Sequence, residues 1–171
     1  MDGEAYDSEI ERAFRLPIDE VSALSVRRET ELLAVGDEEF VIVHAAIGDD
    51  GLRNEFHSRR VGDILDDDVR DGESGSEWEA IAADGEGRVF IVRESSLTVV
   101  VLSRGLDSHV HTIELDVKDG PDERASQLLD DVNAGPEGIL LLQGGRLLVV
   151  KQKDPALLIE FGSPDPGGSS R

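Results

Sequence analysis

The stretch SEWEAIAADGEGRVFIVRE (residues 76–94) decides the fold, because it holds two short apolar segments on either side of a glycine-containing turn. The segments at 80–83 and 88–93 are rich in Ala, Val and Ile and are bounded by Asp and Gly. This pattern predicts two antiparallel strands joined by a tight turn at 84–87, where glycine supplies a positive φ. The runs are too short for the helix that their apolar character would otherwise allow.

The same pattern occurs three times along the chain. Glu20 opens EVSAL, Glu79 opens EAIAA and Glu137 opens EGILL, so the three copies are 59 and 58 residues apart. Each copy is followed by a turn and then by an apolar run: LLAV at 32–35, VFIV at 89–92 and LLVV at 147–150. A fixed period of this order indicates a repeat architecture, and repeats built from strands predict the blades of a β-propeller.

The remaining predicted strands complete each repeat. In the second repeat the strands are expected at 80–83, 88–93, 97–102 and 110–117, and four antiparallel strands make one blade. The first repeat gives 21–26, 31–35, 40–46 and a fourth strand around 57–65, and the third gives 138–142, 146–150 and 156–161. We therefore expect an all-β protein of about three four-stranded antiparallel blades, at about 14–66, 76–120 and 133–162.

The segments outside the blades are polar. Residues 1–13 are acidic without periodicity and predict a disordered or frayed start, whereas 163–171 consist of turn formers and predict a flexible tail. Residues 66–77 carry an acidic run and predict a solvated loop between blades. The pattern at 121–131 is compatible with a short surface helix or with a loop.

Three repeats fall short of the four to eight blades of a closed propeller. The chain is therefore expected to be the open half of a larger ring, with unsatisfied sheet faces at both ends. Either it pairs with a second half, in a homodimer or with a separate half-propeller, or it is a fragment of a longer propeller.

Composition excludes several classes of function. The net charge is −21, from 38 acidic and 17 basic residues, which disfavours binding to nucleic acid or to an anionic membrane surface. The chain has no cysteine, so disulfides and thiolate sites are excluded. Its apolar runs are strand-sized and its first thirty residues lack a secretory signal, which predicts a cytoplasmic protein.

Three pairs of motifs resemble a known family. They are DEVSAL (19–24) before LLAVGD (32–37), SEWEAIA (76–82) before RVFIVRE (88–94), and GPEG (135–138) before LLVVKQKD (147–154). Residues 14–162 are similar through these motifs to about three blades of the SdiA-regulated and phytase-like calcium β-propellers. The resemblance implies a six-bladed propeller whose acidic side chains point to a central channel where calcium binds. It does not imply phytase activity.

Five carboxylates are the candidate metal ligands. Glu20, Glu79 and Glu137 are expected at one shared position, on the channel rim just before the innermost strand of each blade. Asp37 and Glu94 are expected to join them from the matching ends of the second strands. Hard oxygen ligands that converge in this way suit calcium. The alternative is that each glutamate anchors the turn between blades by accepting backbone N–H bonds.

No catalytic residue is predicted. The chain lacks a Gly-x-Ser-x-Gly elbow, a His-Glu-x-x-His motif and a glycine-rich phosphate loop. His109 and His111 lie two apart on a predicted outer strand, where a solvated edge is favoured over a metal pair. Trp78 is expected to pack between blades.

These observations predict a binding or scaffold module that takes calcium and an unidentified small ligand. The alternative is a calcium-dependent phosphoesterase of the phytase-like type. Such an enzyme needs cations around the phosphates, and Arg93, Lys151 and Lys153 are the only basic residues near the predicted channel.

Overall fold

The computed structural model describes residues 11–67, 69–70, 75–115, 135–152 and 156–162. Within these ranges the chain forms eleven strands and one turn of 3-10 helix at Gly62–Ile64. The strands are β1 (Val21–Arg27), β2 (Glu31–Gly36), β3 (Val41–Gly48), β4 (Gly51–Arg60), β5 (Trp78–Ala83), β6 (Val89–Arg93), β7 (Thr98–Leu102), β8 (His109–Glu114), β9 (Pro136–Leu141), β10 (Leu147–Lys151) and β11 (Leu157–Phe161).

The strands form three separate antiparallel sheets in chain order. Blade one is β1-β2-β3-β4, blade two is β5-β6-β7-β8, and blade three is β9-β10-β11. The innermost strands lie side by side, with β1 against β5 and β5 against β9. The prediction of an all-β, propeller-like fold of three blades is thereby confirmed.

Blade two is buried on both faces, and this explains its continuous apolar strands. One face packs on blade one around Leu33, Val35 and Ile42, and the other packs on blade three around Ile139 and Val149. Among the described residues, blade three buries only the face that meets blade two, whereas the far face of blade one is also partly buried, around Ala34 and Val43. Trp78 is fully buried in the first of these cores, with its ring 5.5 Å from that of Phe40, so its predicted packing role is confirmed.

The turn predicted at 84–87 is also confirmed. Asp84 Oδ1 accepts hydrogen bonds from the backbone N–H groups of Glu86 and Arg88, at 3.0 and 2.8 Å. Gly87 has φ +86°, a conformation that costs glycine little. The side chain of Asp84 thus helps to close the hairpin between β5 and β6 by accepting backbone N–H bonds within the turn.

The fourth strand of blade one differs from the prediction. It was expected around 57–65, but β4 covers Gly51–Arg60 and pairs with β3 from Gly48↔Gly51 to Val41↔Arg60. Its sequence is polar and most of its residues are exposed, because it is the outer edge of the blade. An edge strand lacks the apolar pattern that predicts the other strands.

The terminal segments are only partly described. Residues 11–20 have no strand or helix, yet Leu16 and Ile18 pack on Ala34 and Val43 of blade one. The predictions for 1–10, 121–131 and 163–171 fall outside the described residues. In the described part of the chain, no helix has the length and apolar character needed to cross a bilayer.

Candidate functional site

The innermost strand of every blade carries a β-bulge at the same place. Val21 pairs with Gly36 and the next paired residue is Ala23, which leaves Ser22 unpaired. The same irregularity lies between Trp78 and Ala80 and between Pro136 and Gly138. The bulged residues are Ser22, Glu79 and Glu137. They are 57 and 58 residues apart, so this register defines the structural repeat.

The prediction that Glu20 shares the position of Glu79 and Glu137 is therefore wrong. Ser22 occupies that position in blade one, whereas Glu20 is the counterpart of Glu77. Both of these residues directly precede an inner strand in a left-handed conformation, with φ 46° and 49°. Aligning EVSAL with EAIAA by residue identity shifts the two repeats by two residues. The position of the bulge is set by the pairing of the strands, not by residue identity.

Asp37 and Glu94 lie at matching ends of the second strands of blades one and two. Each directly follows a second strand, after Gly36 and Arg93, which hold equivalent places in the two registers. The corresponding residue of blade three is Gln152.

A chain of hydrogen bonds ties these residues together across the three blades. Glu77 N–H donates to the carbonyl of Asp37 at 2.6 Å, and Glu94 N–H donates to the carbonyl of Glu77 at 3.1 Å. Gly135 N–H then donates to the carboxylate Oε1 of Glu94 at 3.2 Å. Glu94 thus anchors the connection between blades two and three by accepting a backbone N–H bond, which is the structural role given above as the alternative to metal binding.

Two serines that the sequence pattern does not single out contribute to the same region. Ser76 is fully buried and its hydroxyl donates to the carbonyl of Gly36 at 2.9 Å. The hydroxyl of Ser22 donates to the carbonyl of Trp78. Both bonds join blade one to blade two. Correct alignment of the repeats would have drawn attention to Ser22, since it stands where the other blades have glutamate.

The electrostatics place Glu79 at the centre of a carboxylate cluster. Burial raises the pKa of Glu79, and the negative charges of Glu137, Glu94, Asp37 and Glu77, in that order, raise it further. We call these five residues the carboxylate cluster. Glu20, the remaining predicted ligand, is exposed and lies outside it.

Two oxygens of the carboxylate cluster receive no hydrogen bond from the described residues. Among the described residues, none donates to Asp37 Oδ1 or Glu77 Oε2, although both atoms are buried. Arg93 Nη2 lies 4.0 Å from Glu77 Oε2, while its Nη1 donates to the carbonyl of Val69 at 2.5 Å. A buried carboxylate oxygen without a donor is costly, so this negative charge is incompletely compensated.

The carboxylate cluster is not a formed metal centre. In the ranges that the structure describes, no three His, Asp or Glu side chains are grouped so that they could hold an ion. The cluster concentrates charge from three blades, and its side chains would have to turn toward a common point to coordinate a cation.

The other candidate residues have surface or structural contacts. His109 Nδ1 lies 2.9 Å from Asp66 Oδ2, and its Nε2 lies 3.0 Å from Thr112 Oγ1, on the outer edge of blade two. Arg93 and Lys151 are both buried. Lys153 lies outside the described residues.

Comparisons with known proteins support the fold. No protein-family model matches the chain, and no curated protein matches its sequence. A luciferin-regenerating enzyme has a similar structure, with TM-score 0.52 and 9% identity over 84% of this chain and 42% of that one. Virginiamycin B lyase from Staphylococcus aureus gives TM-score 0.49 and 12% identity over 90% and 45% of the two chains.

These similar structures are β-propellers, and this chain spans less than half the length of each. At such identities the similarity shows the fold alone. The resemblance to SdiA-regulated and phytase-like propellers stays a prediction. The comparisons and the three stacked sheets together establish this chain as three blades of the β-propeller fold.

Proposed function

We propose that this chain is a non-catalytic binding module in which the carboxylate cluster takes up a divalent cation, with calcium the best-suited ion. The observation that carries the proposal is the pair of buried oxygens, Asp37 Oδ1 and Glu77 Oε2, that no donor among the described residues satisfies. They accompany Glu79, whose pKa is raised by burial and by the surrounding carboxylates. A bound cation would compensate these charges.

The donor set favours calcium over transition metals. All five side chains of the carboxylate cluster offer hard oxygen atoms, and calcium accepts six to eight oxygens in flexible geometry. The donors come from three blades rather than from one loop, which suits an ion that tolerates irregular coordination. Because the ligands are not preassembled among the described residues, we expect the affinity to be low.

Thermal unfolding in the presence of calcium tests the proposal. Ligand that binds only the folded state stabilises it by about 2.7 kcal/mol at one hundred times the Kd. For a chain of this length that corresponds to a rise in Tm of about 5 to 10 °C. The measurement is a calcium titration at constant ionic strength, followed by circular dichroism and by calorimetry.

Two variants make the calcium titration specific. Glu79→Gln removes the central carboxylate and should abolish the calcium-dependent rise in Tm. Glu55→Gln removes the same charge from the exposed edge strand β4 and should leave the rise unchanged. If calcium shifts Tm no more than sodium chloride of equal ionic strength, the cation proposal fails.

A calcium-dependent phosphoesterase has less support from the structure. Arg93 and Lys151 are buried, and Arg93 donates to a backbone carbonyl, so neither presents an exposed cation to a phosphate. The activities of the similar propellers do not transfer at 9 to 12% identity. If the protein hydrolyses a generic phosphoester in a calcium-dependent manner, and Glu79→Ala abolishes this activity, the proposal of a non-catalytic binding module is wrong and the phosphoesterase is supported.

A further inference from the structure

We infer that the two free ends of the three-blade arc pack head to tail on a second copy of this chain, so that two copies close one ring of six blades. The inference rests on the end faces of blades one and three. It is independent of cation binding.

The end face of blade one is an interblade surface that the described residues cover only in part. Leu24 pairs with Ala34, and Ala34 pairs with Val43, so these residues share one face of the sheet. The counterparts of Leu24 are Ile81 in blade two and Ile139 in blade three. Leu24 is 58% exposed, whereas Ile81 and Ile139 are 5% and 7% exposed because each packs on the preceding blade. The exposed apolar residues of this face are Val26 and Leu24 on β1.

The end face of blade three is the opposite half of such a contact. Leu158 pairs with Val150, and its counterparts are Val99 in blade two and Ile42 in blade one. Leu158 is 68% exposed, whereas Val99 and Ile42 are fully buried because each packs against the following blade. The exposed apolar residues of this face are Leu140, Val150 and Leu158.

The chemistry of each end face identifies the other as its partner. Where blade one meets blade two, Val35 and Ile42 of one sheet share a buried core with Ile81 and Ile91 of the next. The end face of blade three carries the counterparts of the first pair, and the end face of blade one carries the counterparts of the second. A second copy presents both halves at once, and exposed apolar faces of this kind mark association surfaces.

The number of blades supports closure by two copies. Two copies supply six blades, within the four to eight of closed propellers. This chain aligns with 42% of the luciferin-regenerating enzyme, whose fold it shares. In a two-fold pair, each copy contributes one end face to each of two identical contacts, and no free apolar sheet face remains.

The N-terminal segment limits the strength of this contact. Leu16 and Ile18 cover Ala34 and Val43 on the middle strands of blade one, but they leave Leu24 and Val26 open on the inner strand. On the blade-one side the contact would therefore rest on the inner strand, as it does where β5 meets blade one and where β9 meets blade two. The charge of −21 on each copy opposes association, so added salt should strengthen it.

Sedimentation equilibrium of the full chain tests the inference. At high salt, the mass should rise with protein concentration from 18.5 kDa toward twice that value, and it should rise less at low salt. Glu79→Gln and chelation of calcium should not change the result, which separates this inference from the cation proposal. A mass of one chain at millimolar concentration and high salt would overturn the second copy as the partner.

Single substitutions on each end face test the head-to-tail arrangement. Leu24→Glu and Leu158→Glu should each abolish the dimer, because each disrupts both contacts of a pair. A mixture of the two variants retains one intact contact, so it should recover association. Val110→Glu is the matched control, since Val110 is 47% exposed on β8, away from both end faces. Dimers in either end-face variant alone, or a monomeric mixture, would show that the faces do not pair in this way.

Discussion

Glu79 shows how a single side chain in this protein depends on its neighbours in other blades. Burial raises its pKa first, and the carboxylates of Glu137, Glu94, Asp37 and Glu77 raise it further. Blade one has Ser22 at the equivalent place, and its hydroxyl donates to the carbonyl of Trp78. The same bulge therefore serves a hydrogen bond in one blade and a charged group in the other two.

The raised pKa of Glu79 predicts a pH-dependent gain from Glu79→Gln. A carboxyl whose pKa is raised in the folded state keeps its proton there after the unfolded chain has lost it at about 4.5. The free energy of unfolding therefore falls as pH rises from about 4.5 to the folded pKa of Glu79, and the loss stays constant above that pKa. Without calcium, Glu79→Gln should raise Tm near pH 7, and the gain should vanish below about pH 4.

Melting curves across this pH range check the prediction. Glu55→Gln is the control, because Glu55 is exposed beside His57 on the edge strand. A Glu79→Gln variant that is less stable than the wild type near pH 7 would contradict the electrostatic description of the carboxylate cluster.

At the level of strands, the close approach of the N-terminal segment to β2 depends on Gly36. A Cβ built on Gly36 would lie 2.5 Å from the carbonyl oxygen of Asp19 and 2.8 Å from that of Glu20. Both obstacles are backbone atoms, which cannot rotate away. Gly36→Ala should therefore destabilise the protein by about 1 to 3 kcal/mol, the usual range for overpacking.

Gly85→Ala is the matched control for Gly36→Ala. Nothing lies within 4 Å of the corresponding Cβ at Gly85, so this substitution should be neutral or slightly stabilising. Urea unfolding of both variants measures the difference. Equal stability of the two would mean that the chain before β1 does not pass over Gly36 as described.

Arg27 connects blade one to blade two from the end of β1. Its guanidinium donates to Glu31 Oε2 at 2.7 Å and, from a buried position, to the carbonyl of Arg104 at 2.8 Å. Arg27→Met keeps the apolar stem but loses these charge-assisted bonds, so we expect a loss of about 2 to 3 kcal/mol in the free energy of unfolding.

The control for Arg27→Met is an exposed ion pair. Arg146 Nη1 lies 2.5 Å from Glu160 Oε1, and both side chains are half exposed. Exposed pairs contribute about 0 to 1 kcal/mol, so Arg146→Met should have little effect in the same urea experiment. A loss for Arg146→Met as large as that for Arg27→Met would contradict this assignment of the interblade contact.

The charge of the entire protein governs its response to salt. A net charge of −21 on 171 residues repels itself in the compact state more than in the unfolded chain. The Debye length falls from about 30 Å at 0.01 M salt to about 3 Å at 1 M, so added salt should screen this repulsion. We expect Tm to rise with sodium chloride.

Potassium chloride should give the same rise as sodium chloride, because screening does not depend on the identity of the cation. Calcium should add a further increment at equal ionic strength only if the carboxylate cluster binds it. A Tm that is independent of chloride salts would mean that the acidic side chains are too far apart to repel one another in the folded state.

Local patterns were sufficient for most of the strands and for the turn at Asp84. Short Val- and Ile-rich runs, bounded by Gly and Asp, determine where strands begin and end, because these preferences act between residues close in the chain. The repeat length of about 58 residues followed from the same patterns. The edge strand β4 was misplaced because its polar sequence carries no such signal.

Tertiary structure decided the composition of the candidate site. Only the pairing of β1 with β2 shows that Ser22, not Glu20, is the counterpart of Glu79. Ladder register, the hydrogen bond from Gly135 to Glu94 and the free faces around Leu24 and Leu158 all depend on residues far apart in the chain. Such contacts are established together when the blades pack, so residue identity within one repeat does not specify them.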